Sequence, residues 1–155
     1  MDYTIDDFYK KVDSKNRDFT KAVNDRLTGL NCISKIENMP PDVLVAYETA
    51  NTHRCILNFF FHDKELYARL YPEKIGEYEF LLNNLPESMI HEIDKASVCK
   101  RMLNPNACNS KCLMGYDFHI KEKHYQKCRY NCFQFLVTKE SKPVLNEWIF
   151  HELCE

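Results

Sequence analysis

Cys55-Ile-Leu-Asn-Phe-Phe-Phe61, then His62-Asp-Lys-Glu65, then Leu66-Tyr-Ala-Arg-Leu-Tyr71 is the stretch that decides the fold. Its first run is nearly continuous in apolar and aromatic residues and is short, which marks a central strand. The polar linker His62–Glu65 is short enough for a hairpin. Working outward, Val43–Glu48 reads as a preceding strand and Thr49–Thr52 as a second tight connection. The block is therefore three antiparallel strands: Val43–Glu48, Arg54–Phe61 and Leu66–Tyr71. Pro40-Pro41 punctuates the approach to it.

Helical spacing flanks this block. Thr4-Ile-Asp-Asp7 has the form of a capping box, with acids in the first turn. Ile5, Phe8, Tyr9, Val12, Phe19, Ala22, Val23 and Leu27 then recur at helical intervals. The polar Asp13–Lys15 is a place to divide them into two helices, and Gly29 a place to stop. After the strands, Pro72-Glu73 opens an expected helix with Ile75, Tyr78, Leu81, Leu82 and Leu85 on one face, weakened only slightly by Gly76. Pro86 starts another, with Met89, Ile90 and Ile93 inward. Gly115–Ile120 and His124–Val137 read as two further strands around Lys121-Glu-Lys123. A last helix begins near Ser141, with Pro143 in its first turn and Val144, Leu145, Trp148, Ile149 and Leu153 on its buried side. The expected fold is α+β: an antiparallel sheet built from hairpins with helices packed against it, plus a cysteine-rich loop and hairpin, in one domain over 1–155.

Composition narrows the function. The chain has 155 residues, 45% of them apolar, enough for a real core. With three glycines, at Gly29, Gly76 and Gly115, it has no Gly-rich phosphate cradle. MDYTIDDFYKKV, with no basic start followed by an apolar core, is not expected to act as a signal peptide, and no apolar run approaches the ~18 residues of a membrane span. The expected location is cytoplasmic, where eight cysteines read as thiols or metal ligands. An exported chain would instead use them in four disulfides. Charge is uneven: residues 95–129 carry eight Lys/Arg against two Asp/Glu, on an otherwise acidic chain. Part of that surplus could balance a thiolate-bound ion.

The chemistry concentrates between Cys99 and Cys132, which hold five cysteines. Zinc takes four ligands tetrahedrally, with thiolate at about 2.3 Å, so sulfurs on one ion lie about 4 Å apart. Cys108-Asn-Ser-Lys-Cys112 can turn both thiols inward, and Cys128 can reach them from the second hairpin strand. Cys128 and Cys132 share a strand face but stand about 13 Å apart if the strand stays extended. That leaves Cys99 as the fourth ligand and Cys132 as a core thiol, unless the strand bulges or ends there; His119 and His124 are the next candidates. The expected metal set is Cys99, Cys108, Cys112 and Cys128, with zinc as cofactor in a structural role. Buried free cysteines are the plainer alternative, and an iron–sulfur cluster a weaker one. Cys32, Cys55 and Cys154 read as packing residues.

The run CNSKCLMGYDFHIKEKHYQKCRYNCFQFLV, with VCKRML upstream, a C-terminal helix after it, and the hairpin LNFFFHDKELYARLY, resembles a group of small cysteine-containing bacterial proteins without an assigned function. The resemblance covers most of residues 30–155 and implies a shared fold and metal site, but no activity.

Three functional readings follow. The first is a zinc-stabilised binding module for an unidentified protein partner. The second is nucleic-acid binding through Lys95, Lys100, Arg101, Lys111, Lys121, Lys123, Lys127 and Arg129, with Tyr116, Phe118, Tyr125 and Tyr130 as stacking platforms. The third is a thiol enzyme using Cys128 beside Lys127 and Arg129, or Cys55 near His53. No orienting third group or oxyanion donor can be placed for it, and the six histidines show no HExxH pairing.

Overall fold

The computed structural model describes residues 2–153. Two compact units are present: one runs to Leu70 and resumes at Phe135, and the other is Tyr71–Gln134. The fold is α+β, with a five-stranded sheet and a separate two-stranded one.

The first unit starts with α1 (Ile5–Lys11) and α2 (Ser14–Gly29). The Asp7 carboxylate accepts from the Thr4 backbone N–H at 2.7 Å, closing the expected capping box. The chain divides at Val12–Asp13, where Arg17 donates to the carbonyls of Tyr9 (3.1 Å) and Val12 (2.9 Å) that end α1. The helix stop at Gly29 is as expected, but Asn31, at φ 63°, takes the left-handed position.

Strands β1 (Cys32–Met39), β2 (Asp42–Thr49), β3 (Cys55–His62) and β4 (Glu65–Leu70) follow as an antiparallel meander. The last three are those read from the sequence. Asp63 (φ 50°) and Lys64 (φ 66°) form the two-residue connection between β3 and β4, the conformation of a type I′ turn. β1 escaped the sequence reading because it is an edge strand with only Cys32 buried, so no apolar alternation marks it. The sheet order is β1-β2-β3-β4-β7, with β7 (Gln134–Leu136) beside β4.

One face of this sheet is the core. Val43, Val45 and Tyr47 alternate inward along β2, and Leu66, Ala68 and Leu70 along β4. α6 (Ser141–Leu153) adds Leu145, Trp148 and Ile149, all buried. Glu152 is buried as well and meets Arg54 at 2.5 Å. Cys32 and Cys55 behave as packing residues: burial raises both thiol pKa values. Cys154 lies outside the described residues.

The second unit is α3 (Glu79–Asn83), α4 (Glu87–Lys95), α5 (Lys100–Leu103) and the hairpin β5 (Tyr116–Ile120) with β6 (Lys123–Lys127). The helix expected to open at Pro72-Glu73 begins only at Glu79, after a 3₁₀ turn at Ile75–Glu77. Gly76 lies in that turn, and its low helix propensity outweighs the apolar spacing there. The strand expected over His124–Val137 is also two pieces. β6 stops at Lys127, the chain turns, and β7 starts at Gln134. The inner face of the hairpin carries Tyr116, Phe118, Ile120 and Tyr125, all buried. Phe118 stacks on Tyr125 at 5.3 Å, and Phe133 meets Tyr116 at 5.0 Å and Phe118 at 5.2 Å.

Candidate metal centre in the cysteine segment

Asp94, at the end of α4, fastens the hairpin to the helix. It accepts from Tyr125 Oη at 2.8 Å and Lys123 Nζ at 2.9 Å, while Lys127 Nζ donates to the carbonyls of Asp94 and Ala96. The Lys123 and Tyr125 hydrogen bonds hold the Asp94 carboxyl below its usual range. Past α4 the chain runs alongside β6: Val98 bridges Lys127, Cys99 N–H donates to the Gln126 carbonyl (2.9 Å), and Cys128 N–H donates to the Ser97 carbonyl (2.7 Å).

That pairing sets the sulfur geometry. Residues alternate across a ladder, so Cys99 and Cys128 fall on one face as diagonal neighbours, roughly 7 Å apart or less at Cβ. Gly115 lies against both chains. A Cβ there would come 2.2 Å from the Lys127 carbonyl oxygen, 2.9 Å from Cys99 Cβ and 3.0 Å from Cys99 Sγ. The sequence signal for this position was available: an isolated glycine just before a strand marks a close backbone approach.

Cys108 and Cys112 sit in a loop made of successive asparagine-led turns. Asn104 Oδ1 accepts from Asn106 N–H (3.1 Å), and Asn109 Oδ1 accepts from Lys111 N–H (3.0 Å). Cys112 N–H returns to the Asn109 carbonyl at 3.0 Å, folding the chain back after Cys108. Arg101 donates to the Cys112 carbonyl, and Arg129 to that of Met114 (3.3 Å). The Cys112 thiol donates to the Leu113 carbonyl at 3.2 Å, and the nearby Cys112 sulfur, more than burial, raises the Tyr130 phenol pKa. The sequence reading missed Arg101 as a partner of the Cys112 carbonyl.

Cys132 is buried, as expected of a core thiol, but its spacing from Cys128 differs from expectation. An extended strand would hold the two about 13 Å apart. Instead Cys132 N–H donates to the Cys128 carbonyl at 3.0 Å, so the two are one helical turn apart. Cys132 is fully buried, and burial pushes its thiol pKa well up, with Lys127 acting the other way. His119 and His124, the next candidates, pair beside the hairpin turn, their rings stacked at 4.5 Å. His124 Nε2 lies 2.6 Å from Asp117 Oδ1, which holds the Asp117 carboxyl below its usual range.

The four expected ligands thus occupy adjoining elements: Cys99 is buried, Cys112 and Cys128 are half-buried, and Cys108 is exposed. Their chemistry suits zinc. Among the described residues, however, no three His, Cys, Asp or Glu side chains converge closely enough to hold an ion as placed. Binding would require the Cys108–Cys112 loop to close onto the Cys99–Cys128 ladder.

No known family model, curated protein or solved structure matches this chain.

The other readings meet less support in the geometry. Of the four hairpin aromatics only Tyr130 is exposed, the others being core. Lys95, Arg101, Lys123, Lys127 and Arg129 already bind protein groups. Cys55 is directed to Asn58 Oδ1 at 3.2 Å, and His53 to Glu48 at 3.0 Å. Among the described residues no helix is long and apolar enough to cross a membrane.

Proposed function

We propose that the Tyr71–Gln134 unit is a zinc-stabilised binding module, with Cys99, Cys108, Cys112 and Cys128 as ligands. The observation that carries this reading is the ladder that sets Cys99 and Cys128 side by side, with Gly115 making room. Arg101, two residues past Cys99, donates to the Cys112 carbonyl, and closure of that loop would bring Cys108 and Cys112 to the pair. Zinc bound there substitutes for core that residues 104–115 lack, where Leu113 and Met114 remain exposed. Structural zinc in such settings contributes on the order of 10 kcal/mol to folding. The basic surplus of the segment offsets the charge of four thiolates on one ion. The partner is a protein, and the location is the cytoplasm. Free thiols at all seven described cysteines support a reducing compartment. Kinship with the small bacterial group belongs to the same proposal.

Metal content and thiol titration of purified protein test it. The expected result is about one zinc per chain and about four thiols that react only after chelation. Protein purified with zinc present that holds none, and whose thiol reactivity ignores a chelator, would end the reading.

A further inference from the structure

β1 is an open margin of the five-stranded sheet. Among the described residues it has β2 on one side and no strand on the other. Its pairing with β2 settles which backbone groups are left over. Ala50 N–H donates to the Asn31 carbonyl at 3.0 Å, one step beyond the Cys32–Thr49 pair. Along an antiparallel ladder, pairs that exchange hydrogen bonds alternate with pairs that do not. The odd-numbered residues of β1 therefore turn N–H and C=O toward β2. Cys32, Ser34, Ile36 and Asn38 turn theirs outward. A strand of eight residues with a row of outward donors and acceptors is a template for another strand.

The side chains decide which strand. β1 reads Cys32-Ile-Ser-Lys-Ile-Glu-Asn-Met39. Set antiparallel against a second copy of itself about Ile36, it places Lys35 opposite Glu37, Ser34 opposite Asn38 and Ile33 opposite Met39, once on each side of the axis. Ile36 then meets Ile36. Charge faces opposite charge, polar faces polar and apolar faces apolar. The other registers lose this match. Centring on Lys35 or Glu37 sets like charges face to face, which is unfavourable across a ladder. Centring on Ser34 or Asn38 leaves both charges facing uncharged residues. A half-step register would oppose an outward-turned residue to an inward-turned one. Exposure agrees with the match. Ile33 and Met39 are 39% and 52% exposed, with Lys35 and Glu37 exposed between them on the same face. On the core face Ile36 lies beside Val45 and is half-buried, at the rim of the apolar layer.

We propose that the chain forms a twofold dimer by pairing β1 with β1 of a second copy, centred on Ile36, so that the two sheets become one. Ser34, Ile36 and Asn38 exchange backbone hydrogen bonds across the seam, and the two Ile36 side chains join the core layers. The charged pair, which guards a lone edge against indiscriminate pairing, here selects a single register. The seam lies in the first unit and does not depend on metal.

Sedimentation velocity of the full chain, reduced, over a concentration series tests this. A monomer–dimer equilibrium should be visible at or below about 1 mM, the weak end of specific association. Ser34→Pro removes an outward N–H that β2 does not use, so it should abolish the dimer and leave the far-UV circular dichroism unchanged. Glu37→Lys, at an exposed position, opposes Lys to Lys35 on both sides of the axis. It should raise the dissociation constant about tenfold, the scale of two cross-strand pairs turned from attraction to repulsion. Adding Lys35→Glu to Glu37→Lys exchanges the charges and should recover most of that loss. Monomer at every concentration, a dimer indifferent to Glu37→Lys, or no recovery in the charge exchange would overturn the proposal.

Discussion

Phe59 receives rings from three other elements: Phe8 of α1 at 6.0 Å, Phe19 of α2 at 6.2 Å and Tyr47 of β2 at 6.2 Å. It is fully buried, so Phe59→Ala should cost about 3–5 kcal/mol in urea denaturation. Gly115 acts by what it lacks. Gly115→Ala drives a methyl into the Lys127 carbonyl and the Cys99 side chain, neither of which can step aside. A loss of about 1–3 kcal/mol is expected, with earlier labelling of the Cys99 thiol. Asp94 sets a pH dependence. Its carboxyl is held below the ordinary value by Lys123 and Tyr125, so its stabilisation is complete above the unfolded-state pKa of about 3.9. That contribution drains away as pH falls through the lower folded-state value. Asp94→Asn should therefore lower the urea midpoint at neutral pH and narrow its difference from wild type in acid.

At the scale of elements, strong local signals were readable and weak ones were not. β3 and β4 announce themselves because burial demands apolar runs and the turn between them is short and polar. β1 does not, because an edge strand with seven of its eight residues unburied has no such demand. The start of α3 was misplaced where apolar spacing and a helix-weakening glycine pull in opposite directions. The end of β6 mattered most for the candidate centre. Cys99 could be connected to Cys128 by eliminating Cys132, yet the ground for elimination was a strand that ends at Lys127. What places Cys99 there is its pairing with β6, a non-local contact that no spacing rule contains. The two cysteines can be separated by substitution. Cys112→Ser should abolish stoichiometric zinc and lower the melting temperature, whereas Cys132→Ser should keep about one zinc per chain. Loss of zinc in Cys132→Ser but not in Cys99→Ser would make Cys132 the fourth sulfur.

For the whole molecule, each unit has a core of its own: Phe59 and its aromatic neighbours in one, Phe118, Tyr125 and Phe133 in the other. Chelation of zinc-loaded protein should therefore raise amide hydrogen exchange within Tyr71–Gln134 and leave β2 and β3 protected, a pattern that mass-resolved exchange reads directly. Uniform loss of protection would mean that the ion supports both. The path of the chain between the units has a bearing on biosynthesis. β7, which flanks β4, and the helix carrying Leu145 and Trp148 are translated only after residues 71–133. While the ribosome works through that insert, the emerged meander shows a bare backbone margin on β4 and an uncovered greasy floor. A chain stalled in that interval is the species most exposed to aggregation, and the one a holdase chaperone would meet.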